Sequence, residues 1–480
     1  MLPYQPDASR FKHFYRGVFA QMILLGAIMK THIDLSFVGP ALADAITNLG
    51  GGGLSSPYLA NLVNSFQYIS GCLMTLFGGP LINKMGIKKS CVVAAMGMPL
   101  VGSSYYSYAR YGIIWYLVVA QMIGGLTGGF LYVAEATAML SYPQPEDRGF
   151  YLGIWSAMRN SGSIFGGVIN FAKNYNNSTT GGIAPSTYFI FFLIEAVLSK
   201  DGLKPKLLTS RRLYPECTGL VWALNLTPTR LVLRRNGHRI RMSPLRSWTQ
   251  EFVALRLLAQ QKKVCTWVLF IPAFYSFYHG GTLSNYLSLH FSIRSRALTS
   301  FIAPCVTVPS VVAYGRYLLD LDQWSQRRRA KIAVLIWIVP QMISLIWIGF
   351  ENRRIGNGIQ ILDYDQNLGE WSYAVLPFII LFISGCLTQL SLYWIIGILS
   401  ENISATSQLG GLFRAFEMAG QATSYALNAQ KGNGVKISFY FNCFLWLFTV
   451  PCMIQLVQMV PHGPSSRYEI TDSDEEIELN

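Results

Sequence analysis

Charge is what this sequence has least of: Asp, Glu, Lys and Arg supply only 13% of its 480 residues, about half the 25% of an ordinary soluble domain. So low a share excludes a water-soluble globular fold and a solvated disordered chain alike. Cysteine is scarce and unpatterned as well. Cys72, Cys91, Cys217, Cys265, Cys305, Cys386, Cys443 and Cys452 stand singly, without CxxC or Cys/His spacing. That pattern excludes a disulfide framework and a zinc site, and leaves small hydrophobes inside apolar runs. No glycine-rich loop followed by Lys-Ser or Lys-Thr, no HExxH and no nucleophile beside a base occurs. Enzyme catalysis, a bound cofactor and ATP-driven pumping therefore have no signature here.

What is present is apolar: 51% of the residues are hydrophobic and 14% aromatic. Runs near bilayer length, roughly 20 residues, fall at 58–82, 91–109, 113–140, 150–172, 264–290, 298–318, 330–349, 373–399, 405–428 and 436–459. The chain reads as an all-α integral membrane protein with the lipid bilayer as its first partner. A polar segment, 1–16, precedes the first span; with no small-residue cleavage site after it, that span is read as retained.

Two more spans are broken by polar inserts. Residues 29–34, MKTHID, set Lys30, His32 and Asp34 at mid-bilayer in the first, and residues 196–216 interrupt the sixth. Deleting either insert restores a bilayer length, so an added or unspliced gene segment is the preferred reading over an intramembrane functional cluster, since unpaired charges there are costly. Twelve spans result.

The formal charge of +14 sits in short segments between spans rather than on an aromatic-interleaved face, which fits topology control and not nucleic acid. With the N-terminus inside, the cytoplasmic segments hold Lys84, Lys88 and Lys89, a basic central loop at 229–263, and Arg327, Arg328 and Arg329; Arg294, Arg296, Arg353 and Arg354 run against the bias. The sequons at Asn176 and Asn177 fall in a loop on the outer side, as glycosylation requires. An acidic polar tail, 461–480, reads as disordered and cytoplasmic. Nothing addresses the chain to the plasma membrane rather than a vacuolar or other endomembrane.

Six spans (17–228), a basic middle segment and six more (264–460) form the layout of the major facilitator superfamily, whose halves are related repeats with substrate near the midplane. The turn GGPLINKMGIKKS resembles the superfamily signature between the second and third spans. Gly79, Leu81, Lys84, Gly86 and Lys88 match it, while Asn83 stands where the signature has aspartate, so the turn lacks its usual charge lock. GRYLLDLDQWSQRRR, with Gly315 and Asp320, resembles a degraded second copy. Longer stretches, among them FLYVAEATAMLSYPQPEDRGFYLGIWSAMRNSGSIFGG and GGLFRAFEMAGQATSYALNA, are similar to the fungal Unc-ninety-three-like branch. The resemblance implies a major facilitator-type fold of two six-helix bundles and secondary transport of a small solute. The alternative it admits is a non-transporting scaffold that regulates or chaperones a membrane-protein partner. Proton antiport is not implied, because the span at 150–172 lacks the antiporter proline and Val118 and Val119 replace the arginine expected before Gln121.

Several polar residues inside spans are candidates for mechanism. Glu135 lies eight positions before Pro143 and Arg159 ten after Gly149, which sets them roughly 12–15 Å from the shared loop. They are expected to pair, as a gate or as mutual neutralisation. Arg414 and Glu417, three apart, share a helical face with Gln421. That face lines a substrate cavity, or the pair is intrahelical with Arg414 snorkelling to the inner surface. His279 is either a proton acceptor or a packed residue beside Gly280 and Gly281. The Gly-x-x-x-Gly spacings at 124–129 and 162–166 read as close-packing faces.

Overall fold

The structure is a computed structural model and describes residues 17, 18, 21, 57–176, 226, 228–234, 240, 246–260, 267–356, 361–399, 403–430 and 434–462. The two interrupted spans, including 29–34 and 196–216, lie outside the described residues, as do Asn177, Cys217, Cys265 and the acidic tail from 463 onward. In chain order the helices are α1 Pro57–Leu76, α2 Gly78–Met85, α3 Ile87–Tyr111, α4 Ile114–Ser141, α5 Arg148–Asn174, α6 Trp248–Gln260, α7 Trp267–His290, α8 Ile293–Tyr314, α9 Gln326–Gly356, α10 Leu368–Leu399, α11 Ile403–Asn428 and α12 Gly434–Met459.

Each of the ten uninterrupted apolar runs coincides with one of these helices, the first with α1 and α2 together. Five have both the length and the apolarity to cross a membrane, those containing 114–141, 293–319, 326–355, 368–399 and 436–459. The protein is an all-helical, multi-pass membrane protein. Prolines stand inside α3, α7, α8, α9, α10 and α12. Spanning helices accept them where neighbouring helices satisfy the freed carbonyls. The segment 229–263, read from sequence as a loop, contains α6.

Two antiparallel seams join the halves. Along the first, α1 and α2 pack on α11: Asn61 donates to the Asn428 carbonyl (3.3 Å), Ser65 to that of Ala422 (3.2 Å), and the Gly79 backbone rests against that of Gln408. Along the second, α5 packs on α8, with Gly149 against Gly315, Gly153 against Val311, and Gly167 against Phe301. A Cβ at Gly79 or Gly315 would collide with backbone across its seam, so these glycines set the approach of the halves.

The two ends differ. At the end bearing Lys84, Lys88 and Lys89, here the basic end, one buried hydrophobic cluster runs through both halves, from Ile82 and Leu140 to Trp394 and Phe413. Toward the opposite end the core divides. One cluster centres on Leu59, Val63 and Leu117, the other on Leu283, Leu345 and Phe378. At that opposite end Arg294 pairs with Asp363 (2.7 Å) and Arg354 with Glu351 (2.7 Å), so two of the cations that run against the charge bias are held by carboxylates.

Candidate functional site

A cavity of about 150 Å³ lies between the halves, where the core divides. From the first half it is lined by Tyr68, Tyr132, Arg159, Asn160 and Ser163. From the second, α7 contributes Ser276, Phe277, His279 and Ser284, α10 contributes Phe378, Phe382 and Gln389, and α11 contributes Gln421 and Tyr425. Rings therefore alternate with amides and hydroxyls. Tyr68 and Tyr425 stack across the first seam, 5.6 Å between centroids. Gly385 makes room for the His279 imidazole, since a Cβ there would overlap the ring.

A buried ionic cluster adjoins the cavity. Arg414, Glu417 and Glu135 are each 0% exposed. Arg414 holds Glu417 at 2.8 Å on its own helix and Glu135 of α4 at 3.7 Å. Glu417 also accepts from Gln389 (3.1 Å), Tyr393 (3.3 Å) and Ser276 (3.4 Å), so its carboxylate is solvated by protein donors in place of water. Above and around the guanidinium stand the faces of Tyr132, Trp155, Phe277 and Tyr393, 5.1–6.0 Å from it. Such a cage supplies π-face stabilisation worth about 2 kcal/mol when the cation is desolvated. The cluster takes Glu135, Tyr132 and Trp155 from one half and the rest from the other, and Gln389 belongs both to it and to the cavity wall.

The structure thus brings most of the sequence candidates together. Glu135 forms a salt bridge to Arg414, a partner the sequence did not suggest, which crosses between the halves. Arg159 lies over Trp155 (5.8 Å) and Phe277 (5.5 Å), two rings it shares with Arg414, and lines the cavity. Arg414 does not snorkel: it is wholly buried, because the carboxylates and rings around it offer a better environment than a long reach to the surface. Gln421 and His279 both line the cavity. Asn176 is exposed just past α5. Sequence reading missed Gln389, Tyr393 and the ring cage. An isolated Gln in the apolar run of α10 was a usable signal for the first; the rings were indistinguishable from ordinary core.

The signature turn builds a second polar site at the basic end. Gly86 holds φ at +79°, a left-handed conformation that other residues resist, and so turns the chain from α2 into α3. Asn83 accepts from Ser407 Oγ of α11 (2.5 Å) and donates to Glu251 of α6 (2.9 Å). Gln408 donates to the same Glu251 oxygen (2.8 Å). The lock expected to be missing therefore has its carboxylate after all, supplied by a helix some 170 positions away rather than by residue 83. Lys84 lies over the Trp248 ring (5.6 Å) and donates to the Arg246 carbonyl, which fastens α6 to the turn.

The second copy is intact. Asp320 accepts from the backbone N–H groups of Gly149 (2.7 Å) and Phe150 (2.6 Å), capping α5 in trans at its positively polarised end. Asn83 meets the start of α11 as Asp320 meets the start of α5, so the turns are related as repeats in space. Burial pushes the Asp320 carboxyl up to about 7, against the two N–H groups that favour its charged form.

Comparison with known proteins agrees with this architecture. The Major Facilitator Superfamily profile matches residues 24–428. The chain is 27% identical to the notoamide biosynthesis cluster protein O' of Aspergillus versicolor, over 85% of each chain. It is 24% identical to UNC93-like protein 1 of Arabidopsis thaliana, over 87% of this chain and 85% of that one. Among solved structures it superposes on a bacterial homologue of the iron transporter ferroportin in its outward-facing state, with a TM-score of 0.58 at 12% identity over 92% of this chain and 99% of that one. The human organic anion transporter MFSD10 gives a TM-score of 0.53 at 13% identity, over 94% and 100%. Two antiparallel seams, paired turns capping paired helices and a cavity between the halves are what that fold contains, and the chain belongs to the Major Facilitator Superfamily, with UNC93-like proteins among its relatives.

Proposed function

We propose that the protein is a secondary transporter that moves a small solute by alternating access, with the solute held in the cavity between the halves. The observation that carries this reading is the cavity itself: residues of both halves line it, at the depth where an ionic bridge ties one half to the other. A site shared by two bodies is exposed to either side when they rock. In this conformation the basic end is closed by the continuous core, the Asn83–Glu251–Gln408 network and the Asp320 cap. Opening toward that end separates Glu135 from Arg414 and leaves each buried charge to find another partner. That rearrangement makes the pair a gate rather than a fixed strut.

The lining also narrows the solute. Among the described residues Arg159 is the one lysine, arginine or carboxylate side chain on the cavity wall; Glu135 and Glu417 stand behind it, engaged by Arg414. A wall with one guanidinium, many rings and several amides favours a compact ring-bearing solute with an acidic group, since a carboxylate meets guanidinium in two parallel hydrogen bonds. An organic anion transporter among the structural neighbours and a biosynthesis cluster protein among the relatives are consistent with such cargo.

Counterflow into proteoliposomes tests this reading with benzoate, benzamide and benzylamine as probes of equal size and different charge. Transport is expected in the order benzoate, benzamide, benzylamine, with Arg159→Gln abolishing the benzoate preference. A broad solute panel that shows no flux, together with a stably co-purifying membrane protein, is the result that favours the scaffold reading instead.

A further inference from the structure

The outward face of α6 carries four uncovered apolar side chains among the exposed Thr249, Arg256 and Gln260. Trp248, Phe252, Val253 and Leu257 are 49%, 43%, 51% and 57% exposed, and their spacing spreads them over the outer half of the helix. The opposite side buries Glu251 and Leu255. An exposed apolar patch rimmed by charge marks a contact surface, and three observations identify what covers this one.

The first is continuity. Tyr58, Phe66, Ile69, Leu73 and Phe77 form an exposed stripe along α1, the lipid-facing side of a spanning helix. At its end Phe77 meets the ring of Phe252 edge to face, 6.3 Å between centroids. The surface that touches hydrocarbon thus runs on, without a break, onto α6. The second is charge. Lys84 and Arg246 border the patch and Arg256 rises within it, between Phe252 and Val253, with Lys89 exposed at the start of α3. The one acidic residue of α6, Glu251, is turned inward and 2% exposed. The third is the pairing of Lys84 with Trp248, an aromatic ring and a cation placed together where spans leave the membrane.

We propose that α6 docks by this face into the headgroup region of an anionic leaflet, its rings and Leu257 entering the acyl boundary while Lys84, Arg246 and Arg256 meet lipid phosphates and carboxylates. Short helices with bulky apolar residues on one side and cations at the border bind this way. The proposal stands whether or not the cavity transports. Glu251, on the helix's inner side, holds Asn83 and Gln408 of the two halves, so the lipid seat lies directly behind the basic-end lock.

Hydrogen exchange on the full chain tests it, in phosphatidylcholine vesicles and in mixed phosphatidylcholine–phosphatidylserine vesicles. Amides of 248–260 are expected to exchange more slowly in the mixed vesicles. Arg246→Gln and Arg256→Gln should each remove about fivefold of that added protection. Leu257→Glu should lose protection in both lipids while amides of α11 remain protected, which shows that the fold is kept. Equal exchange of 248–260 in both vesicles and in detergent overturns the proposal, as does protection that appears only when another membrane protein is present.

Discussion

Arg414 carries the account at the residue scale, because a guanidinium with no access to water is tolerable only while its partners stay in place. Replacing it by Gln takes the guanidinium from two buried carboxylates, Glu135 and Glu417, a loss of about 3–5 kcal/mol, expected as a drop in melting temperature and membrane abundance. Neutralising all three, with Glu135→Gln and Glu417→Gln added, should recover much of that loss; stability that falls further with each change speaks against a coupled cluster. Asp320 gives a second prediction. Its carboxyl titrates near 3.8 in the unfolded chain and about 7 when buried, so between those values the folded state holds more protons. Stability from this group is therefore fully present below the lower value and is lost as pH rises through the upper one. The melting temperature should decline between about pH 4 and about pH 7 in the native protein, and Asp320→Asn should flatten that slope. The ionisable residues of this cluster were legible in the sequence, because any charge in a spanning run stands out. The bridge from Glu135 across to Arg414 of α11 was not, because linear spacing holds no information about which helices of the two halves meet.

Elements were the most legible scale, since bilayer thickness fixes the length of an apolar run and every uninterrupted run is a helix. The exception is instructive. Residues 248–260 are too short and too charged at their borders to read as a span, and their sequence reads as part of a loop, yet α6 supplies the carboxylate that closes the signature turn. Its clue was a lone Glu at 251 flanked by Phe252, Leu255 and Leu258, a helical rather than loop pattern. Glu251→Ala removes two charge-assisted hydrogen bonds, each worth about 1.5–3 kcal/mol, and leaves Asn83 and Gln408 to water. Limited proteolysis should then cut 229–263 several times faster, while α5 and α8, held by Asp320, keep their native exchange rates; a cleavage pattern identical to the native one contradicts the clasp.

The whole molecule is two repeats whose equivalent turns do equivalent work with different residues, an amide plus a borrowed carboxylate in one and a direct aspartate in the other. The six-plus-six layout was readable from span count and the two turns, while the closed basic end and the divided core depend on long-range packing that only the fold reveals. The charge bias predicts a cytoplasmic basic end and, with it, the sequons at Asn176 and Asn177 on the outer side. Changing both to Gln should remove an endoglycosidase-sensitive shift in mobility, and the absence of such a shift in the native protein contradicts that orientation. The central claim is that the halves rock about the cavity with Glu135–Arg414 as the gate. Spin labels on the exposed residues Lys89 and Gln323 report the basic end, and labels on Tyr111 and Gln366 the opposite end. Pulsed electron resonance distances in lipid nanodiscs should lengthen for the first pair and shorten for the second when Glu135→Gln weakens the gate; distances that stay the same at both ends, in a variant that remains folded, contradict the account.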